Sequence, residues 1–222
     1  MIPPKEEILN VKKEIENHVK KRLSQFKNLK RNGYTKFNFK PFLDIDEYSA
    51  DIFSEACFCL LTASSSASLG IKLQKNIGIE GFKYYSFDEL FKILKEHGHR
   101  FPNQRAERII KLREKKSLLD KIIKEKNSKK LREILVKEIY GFGFKEASHF
   151  LRNIGYEDLA IIDRHISRYL FEKNLVKPRR TITKKVYIEC ENILNKICTD
   201  LNISQAELDL YIFYIKTGKV LK

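Results

Sequence analysis

Apolar residues recur at three- and four-residue steps through nearly every segment of this chain, the repeat of a helix that buries one face. Ile8, Val11, Ile15 and Val19 set that rhythm directly after Pro3–Pro4, predicting an amphipathic basic helix. The stretch "EYSADIFSEACFCLLTAS" is apolar nearly all round and suits a buried central helix. Ser86 with Glu89 forms a capping-box signature ahead of Leu90, Ile93 and Leu94, with Gly98 as the stop. A long helix, continuous or interrupted, runs from Pro102–Asn103 towards Asn127, and a short one carries Leu131, Ile134, Leu135 and Ile139. Ile166, Tyr169 and Leu170 mark the next, then Val186, Cys190, Ile193, Leu194 and Ile197. Ser204 and Glu207 open a last helix through Leu208, Tyr211, Ile212 and Ile215, which Gly218 ends. "RNGYTKFNFKPFLD" reads as a connector and "SSSASLG" as a loop or helix junction. No strand alternation of convincing length and no internal repeat interrupts this pattern, so the expected fold is all-α.

The 222 residues suffice for one domain or two small ones with a real core. Lysine and arginine number 44 against 29 acidic residues, a formal +15, which makes a polyanion the leading partner. A lysine-rich, heat-adapted proteome is the other source of such a balance. No apolar run approaches the roughly 18 residues of a membrane span, and the N-terminus lacks a signal-peptide apolar region. The expectation is a cytoplasmic protein with no membrane contact. Cys57, Cys59, Cys190 and Cys198 show neither CxxC spacing nor a Cys/His cluster, so they read as core residues. No metal and no cofactor are expected.

One segment departs from routine helical writing. In "YGFGFKEASHFLRNIG", Gly141 and Gly143 sit one residue apart between two helical runs. Two short helices joined by a Gly-x-Gly turn form a helix–hairpin–helix unit over residues 131–155. Both glycines can take positive φ and let a phosphate approach the main chain. Free N–H groups at the second helix start would then bind it, aided by the helix dipole. A plain helical hairpin with a glycine turn is the alternative.

Lys145 follows that turn at once, where the helix dipole favours carboxylates over amines. Most lysines in this chain are solvated surface, but an amine beside a phosphate clamp can attack a sugar anomeric carbon and form a Schiff base. Free lysine titrates at about 10.4, so a site that uses one as a nucleophile must disfavour the ammonium. Base departure builds positive charge on the sugar, and a fixed carboxylate would stabilise it. Asp163 in "LAIIDRHI" is so placed; it is also a good N-cap for the helix that follows, and the two roles are compatible. Arg164, His165 and Arg168 could hold flanking phosphates or be ordinary surface.

"GFGFKEASHFLRNIG" followed by "LAIIDRHI" closely resembles the second-type 8-oxoguanine DNA glycosylases of archaea and some bacteria, within the helix–hairpin–helix glycosylase superfamily. "FCLLTASSSASLGIKLQ", "RFPNQRAERI" and "LYIFYIKTGKVLK" extend the match over most of residues 45–222. The resemblance implies a two-lobed fold with the site in the cleft between lobes. Residues 1–40 and 156–222 would build one lobe, and residues 41–155, a central bundle ending in the hairpin, the other. It implies that Lys145 is the nucleophile and Schiff-base lysine, Asp163 the assisting carboxylate, and Gly141 and Gly143 the DNA-backbone clamp. Phe101 and Phe213 would wall the pocket for the flipped base, although core packing is their bland reading. Family members often carry tryptophan at the latter position. Lys222 would read the guanine edge through its carboxylate. The implied partner is double-stranded DNA containing 8-oxoguanine or abasic sites, met by a monomer. The rivals are a glycosylase for another lesion and a non-enzymatic DNA-binding module, which would not explain a lysine and an aspartate so placed.

Overall fold

A computed structural model describes residues 3–122, 125–179 and 181–222. Pro4–Asn32 forms α1, a 29-residue helix with proline in its first turn, ended by Gly33 in the left-handed conformation at φ 77°. Its buried stripe of Ile8, Ile15, Val19, Leu23, Phe26 and Leu29 packs against the C-terminal helices.

The connector expected after α1 contains a small β-hairpin. Tyr34–Phe37 (β1) pairs antiparallel with Tyr48–Asp51 (β2), Tyr34 opposite Asp51 and Phe37 opposite Tyr48. Thr35, Phe37 and Phe39 are buried alternately along this stretch. Strands of four residues are too short for a period-two pattern to stand out, and Lys36 and Asn38 occupy the outward positions. The fold is otherwise helical, as expected.

Asp51 ends β2 and caps α2 (Ile52–Thr62): its side chain accepts from the Ser54 N–H at 2.7 Å, while Ser54 Oγ accepts from the Asp51 N–H at 2.9 Å. Every residue of α2 is buried, and α3, α5, α6 and α8 surround it. Ser66 then caps α3 (Ala67–Tyr84), which kinks at Gly78, where φ is 69°. The Ser86–Glu89 box starts α4 (Phe87–Glu96) as predicted. The long helix after Pro102 is interrupted, giving α5 (Pro102–Arg113) and α6 (Lys116–Ile122). Residues 123–124, through which its pattern continues, lie outside the described residues. Helices α7 (Ser128–Glu138) and α8 (Phe144–Asn153) are the two arms of the expected hairpin, and α9 (Arg164–Glu172), α10 (Lys184–Leu201) and α11 (Gln205–Thr217) follow. All four cysteines are buried and unpaired. Among the described residues, no helix is long and apolar enough to cross a membrane.

Between α8 and α9 the chain runs without regular structure, yet Leu159, Ala160, Ile161 and Ile162 are buried. Their backbone polar groups therefore need partners, and α10 supplies them. Glu191 accepts from the Ala160 N–H at 3.0 Å, and the Tyr187 hydroxyl donates to the Ala160 carbonyl at 2.7 Å. The Ile162 N–H donates to that hydroxyl at 3.2 Å. Glu191 is itself held by Arg132 of α7 through two bonds of 2.7 and 2.9 Å, and Arg132 also reaches Ser148 of α8 at 3.2 Å. Both members of this ion pair are almost fully buried. Removing one partner leaves an uncompensated buried charge. Arg132→Met should therefore destabilise the protein by about 3 kcal/mol, read as a lowered denaturant midpoint at unchanged m-value. A midpoint within experimental error of wild type would show that the pair is dispensable.

Candidate active site

The hairpin turn uses its two glycines differently. Gly141 has φ +96°, and a Cβ there would lie 2.6 Å from the side chain of Arg108, so both conformation and space demand glycine. Gly143 does not take positive φ. Its φ is −103° in an extended N-cap conformation, because the following helix starts directly from it. Its N–H donates to the Glu146 carboxylate at 3.2 Å, one half of a capping box that glycine cannot reciprocate. Tyr140 stands exposed beside this turn, with the Arg108 and Lys111 cations 5.4 and 4.5 Å from its ring centroid.

Lys145 lies in the first turn of α8, its side chain 23% exposed and its Nζ 3.7 Å from Glu146 Oε1. Asp163 is the N-cap of α9, where Oδ1 accepts from the N–H groups of His165 and Ile166 at 2.8 and 2.9 Å. Both cap bonds fall on one oxygen, so Oδ2 has no share in capping. Lys145 and Asp163 line the same open cavity of about 650 Å³, a volume in the usual range for a ligand site. Phe213 of α11 and Lys222 also line it, the Phe213 ring standing edge-on to His165 at 5.2 Å. Phe101 does not: it is exposed at the N-terminus of α5, with the Arg100 guanidinium 5.0 Å from its ring, and Arg100 rather than Phe101 reaches the cavity. Gly141 and Gly143 lie outside the wall as well.

Three further titratable groups line the wall. Asp209 of α11 pairs with Arg152 of α8 at 2.8 Å, both largely buried. Burial pushes the Asp209 carboxyl up to about 6, with Arg152 opposing and the charge of Asp163 adding. His149, one helical turn beyond Lys145, is buried edge-on against Phe58 at 5.6 Å. Burial holds its imidazole well below the usual histidine range, and Arg152, Lys145 and Lys222 add to the effect. The main chain of Lys222 opposes it weakly, without a well-formed hydrogen bond. His149 is thus neutral near pH 7. Arg152 and Asp209 fall outside the apolar stripes of α8 and α11, so the helical pattern gave no signal that the two are buried together. Nothing in the helical pattern marked His149.

The side chain of Lys222 turns away from the solvent. Its Nζ donates to Glu55 Oε2 at 2.6 Å and to Gln74 Oε1, and both members of the Glu55–Lys222 pair are fully buried. Glu55 sits in the first turn of the apolar α2, where the sequence pattern alone showed only hydrophobic packing.

Comparison with known proteins shows the family of the chain. The family profile described as Ogg-HhH, 8-oxoguanine DNA glycosylase, matches residues 19–203. The 8-oxoguanine DNA glycosylase/AP lyase of Aquifex aeolicus is 53% identical over 226 residues, spanning 98% of each chain. The structure of Methanocaldococcus jannaschii 8-oxoguanine glycosylase/lyase in complex with a 15mer DNA containing 8-oxoguanine superposes with a TM-score of 0.86 at 43% identity, covering 98% of this chain and 99% of that one. The Thermotoga maritima 8-oxoguanine DNA glycosylase gives the same TM-score, 0.86, at 37% identity, covering 98% of both chains. With a lysine and a carboxylate brought to one basic cavity behind a helix–hairpin–helix, this chain belongs to the 8-oxoguanine DNA glycosylase family.

Proposed function

We infer that this chain removes 8-oxoguanine from DNA and then cleaves the strand at the resulting abasic site. The observation that carries this reading is the shared cavity of Lys145 and Asp163, which stand at the starts of α8 and α9. In the first step the Lys145 Nζ lone pair bonds to C1′ of the damaged nucleotide. The C1′–N9 bond breaks, and its electron pair leaves with the base, which takes up a proton. Positive charge develops on the sugar, and the Asp163 carboxylate, already fixed by its cap bonds, stabilises that charge without reorganising. Ring opening gives an iminium between C1′ and Nζ. Loss of a C2′ proton then expels the 3′ phosphate by β-elimination, and hydrolysis frees the lysine.

The target base lies inside the duplex and has to be flipped out, at a cost of a few kcal/mol. Phe213 offers it a face in the cavity, and the main-chain oxygen of Lys222 offers an acceptor to the N–H groups of the purine edge. Phe101, at the rim, would meet the base or its neighbours only after a local shift. Gly141 and Gly143 hold the backbone beside the lesion, with Tyr140, Arg108 and Lys111 next to them. The two lobes, residues 41–155 against residues 1–40 with 156–222, close on a duplex bound by a monomer in the cytoplasm.

Borohydride should trap wild type covalently on an 8-oxoguanine duplex, whereas Lys145→Gln should give no adduct and lose at least about a thousandfold in rate. An adduct that persists in the variant would remove Lys145 from its role. Asp163→Asn, which keeps a capping oxygen, should lose about a hundredfold in single-turnover excision with little change in melting temperature. Phe213→Ala should slow 8-oxoguanine excision about tenfold, the loss of one stacking partner. Its cleavage of a preformed abasic site, where no base needs a wall, should fall less. Equal losses on the two substrates would show that Phe213 supports the fold rather than the base.

A further inference from the structure

Residues 218–222 follow α11 without regular secondary structure, yet Val220, Leu221 and Lys222 are buried and the last two line the cavity. Gly218 closes the helix through its N–H to the Tyr214 carbonyl at 2.7 Å, and the side chains beyond it anchor the segment in the core. The hold on Lys222 is unusually specific. Its ammonium reaches Glu55 of α2 and Gln74 of α3, and it lies over the rings of Phe37 and Phe58 at 3.9 and 4.2 Å. Each partner is tied down in turn. Glu55 also accepts from Asn153 Nδ2 of α8 at 2.6 Å and Gln74 Nε2 at 3.1 Å. Gln74 donates to the Ser54 carbonyl at 3.0 Å and accepts from the Tyr48 hydroxyl at 2.9 Å. Apolar side chains in place of both Glu55 and Lys222 would fill this space without the desolvation cost of two charges. What the pair adds is one defined geometry, because a buried, satisfied polar network tolerates few alternatives.

We propose that Glu55 and Gln74 form a socket for the Lys222 ammonium, and that this socket positions the Lys222 main chain in the cavity for recognition of the damaged base. The proposal rests on the reading of the cavity as the site of 8-oxoguanine excision. Glu55 and Gln74 are positioning residues: neither lines the cavity, and both act through Lys222. The socket bears on base recognition and not on strand cleavage, since the abasic site carries no base to be read.

The charge state of the ammonium is part of the device. Burial draws Lys222 down to about 8, with Glu55 as the main opposing influence, the buried Cys59 on the same side and Arg22 of α1 against it. The other polar groups facing it are Gln74 and Tyr48, with the neutral His149 across the main chain. Above that pH the amine loses its proton, and the socket loses its ion pair.

The test compares single-turnover excision of 8-oxoguanine with cleavage of a preformed abasic duplex, so that changes in Lys145 chemistry cancel in the ratio. Glu55→Gln should lower excision relative to abasic cleavage about tenfold. It should also move the alkaline fall of that ratio to lower pH, because the group that keeps the ammonium charged is gone. Ionisation of the lesion itself would not move with the variant. Glu55→Gln/Lys222→Met, which fills the socket with apolar atoms, should recover melting temperature and leave excision low. Recovery of excision in that double variant, or a ratio and pH limb unchanged in Glu55→Gln, would overturn the socket. Absence of 8-oxoguanine excision by wild type would instead overturn the reading on which it rests.

Discussion

The contact on which the active site depends is the buried pair of Arg132 and Glu191. Arg132 comes from the first arm of the hairpin and touches Ser148 on the second, the helix that presents Lys145. Glu191 comes from α10 and holds the N–H of Ala160, three residues before Asp163. One ion pair thus ties the lysine-bearing helix to the irregular segment that delivers the carboxylate. Such a pair contributes little net stability against an apolar alternative, because two charges have left water. Its value is geometric. The Phe144 and Tyr187 rings flank the guanidinium at 4.8 and 5.5 Å, so the network has little freedom to rearrange.

The same logic recurs in two further buried pairs. Arg152 with Asp209 joins α8 to α11, and Glu55 with Lys222 joins α2 to the segment after α11. Three buried ion pairs therefore meet around α8 and the cavity. Elsewhere the helices pack through apolar stripes, which fix neighbours but leave small sliding motions inexpensive. A site that has to put an amine beside a sugar carbon tolerates little sliding, since catalysis by positioning falls steeply with misplacement. The polar pairs supply direction where hydrophobic burial supplies only cohesion.

Charge serves two distances. The formal +15 acts over the surface and draws a polyanion without choosing a sequence. Within the cavity, arginines at positions 100, 152, 164 and 179 stand among the carboxylates of Glu146, Asp163 and Asp209. A phosphate backbone and a developing sugar cation need opposite partners, and the wall contains both.

Local chemistry made much of this readable in advance. Capping boxes at Ser86 and Ser204, the helix stops at Gly33 and Gly218, and the hairpin at Gly141 are decided within a few residues, so the sequence determined the helical plan. It also marked Lys145 and Asp163, since an amine at a helix start and an aspartate after an apolar run are local anomalies. The β-hairpin escaped because four-residue strands gain their stability from packing on α1 and α3, not from their own pattern. The socket of Lys222 and the neutral imidazole of His149 escaped for a related reason. Glu55 lies 167 positions from Lys222, and only the tertiary structure brings the two together. Whether a buried carboxylate is an error or an anchor depends on what arrives opposite it, and that is a property of the folded chain.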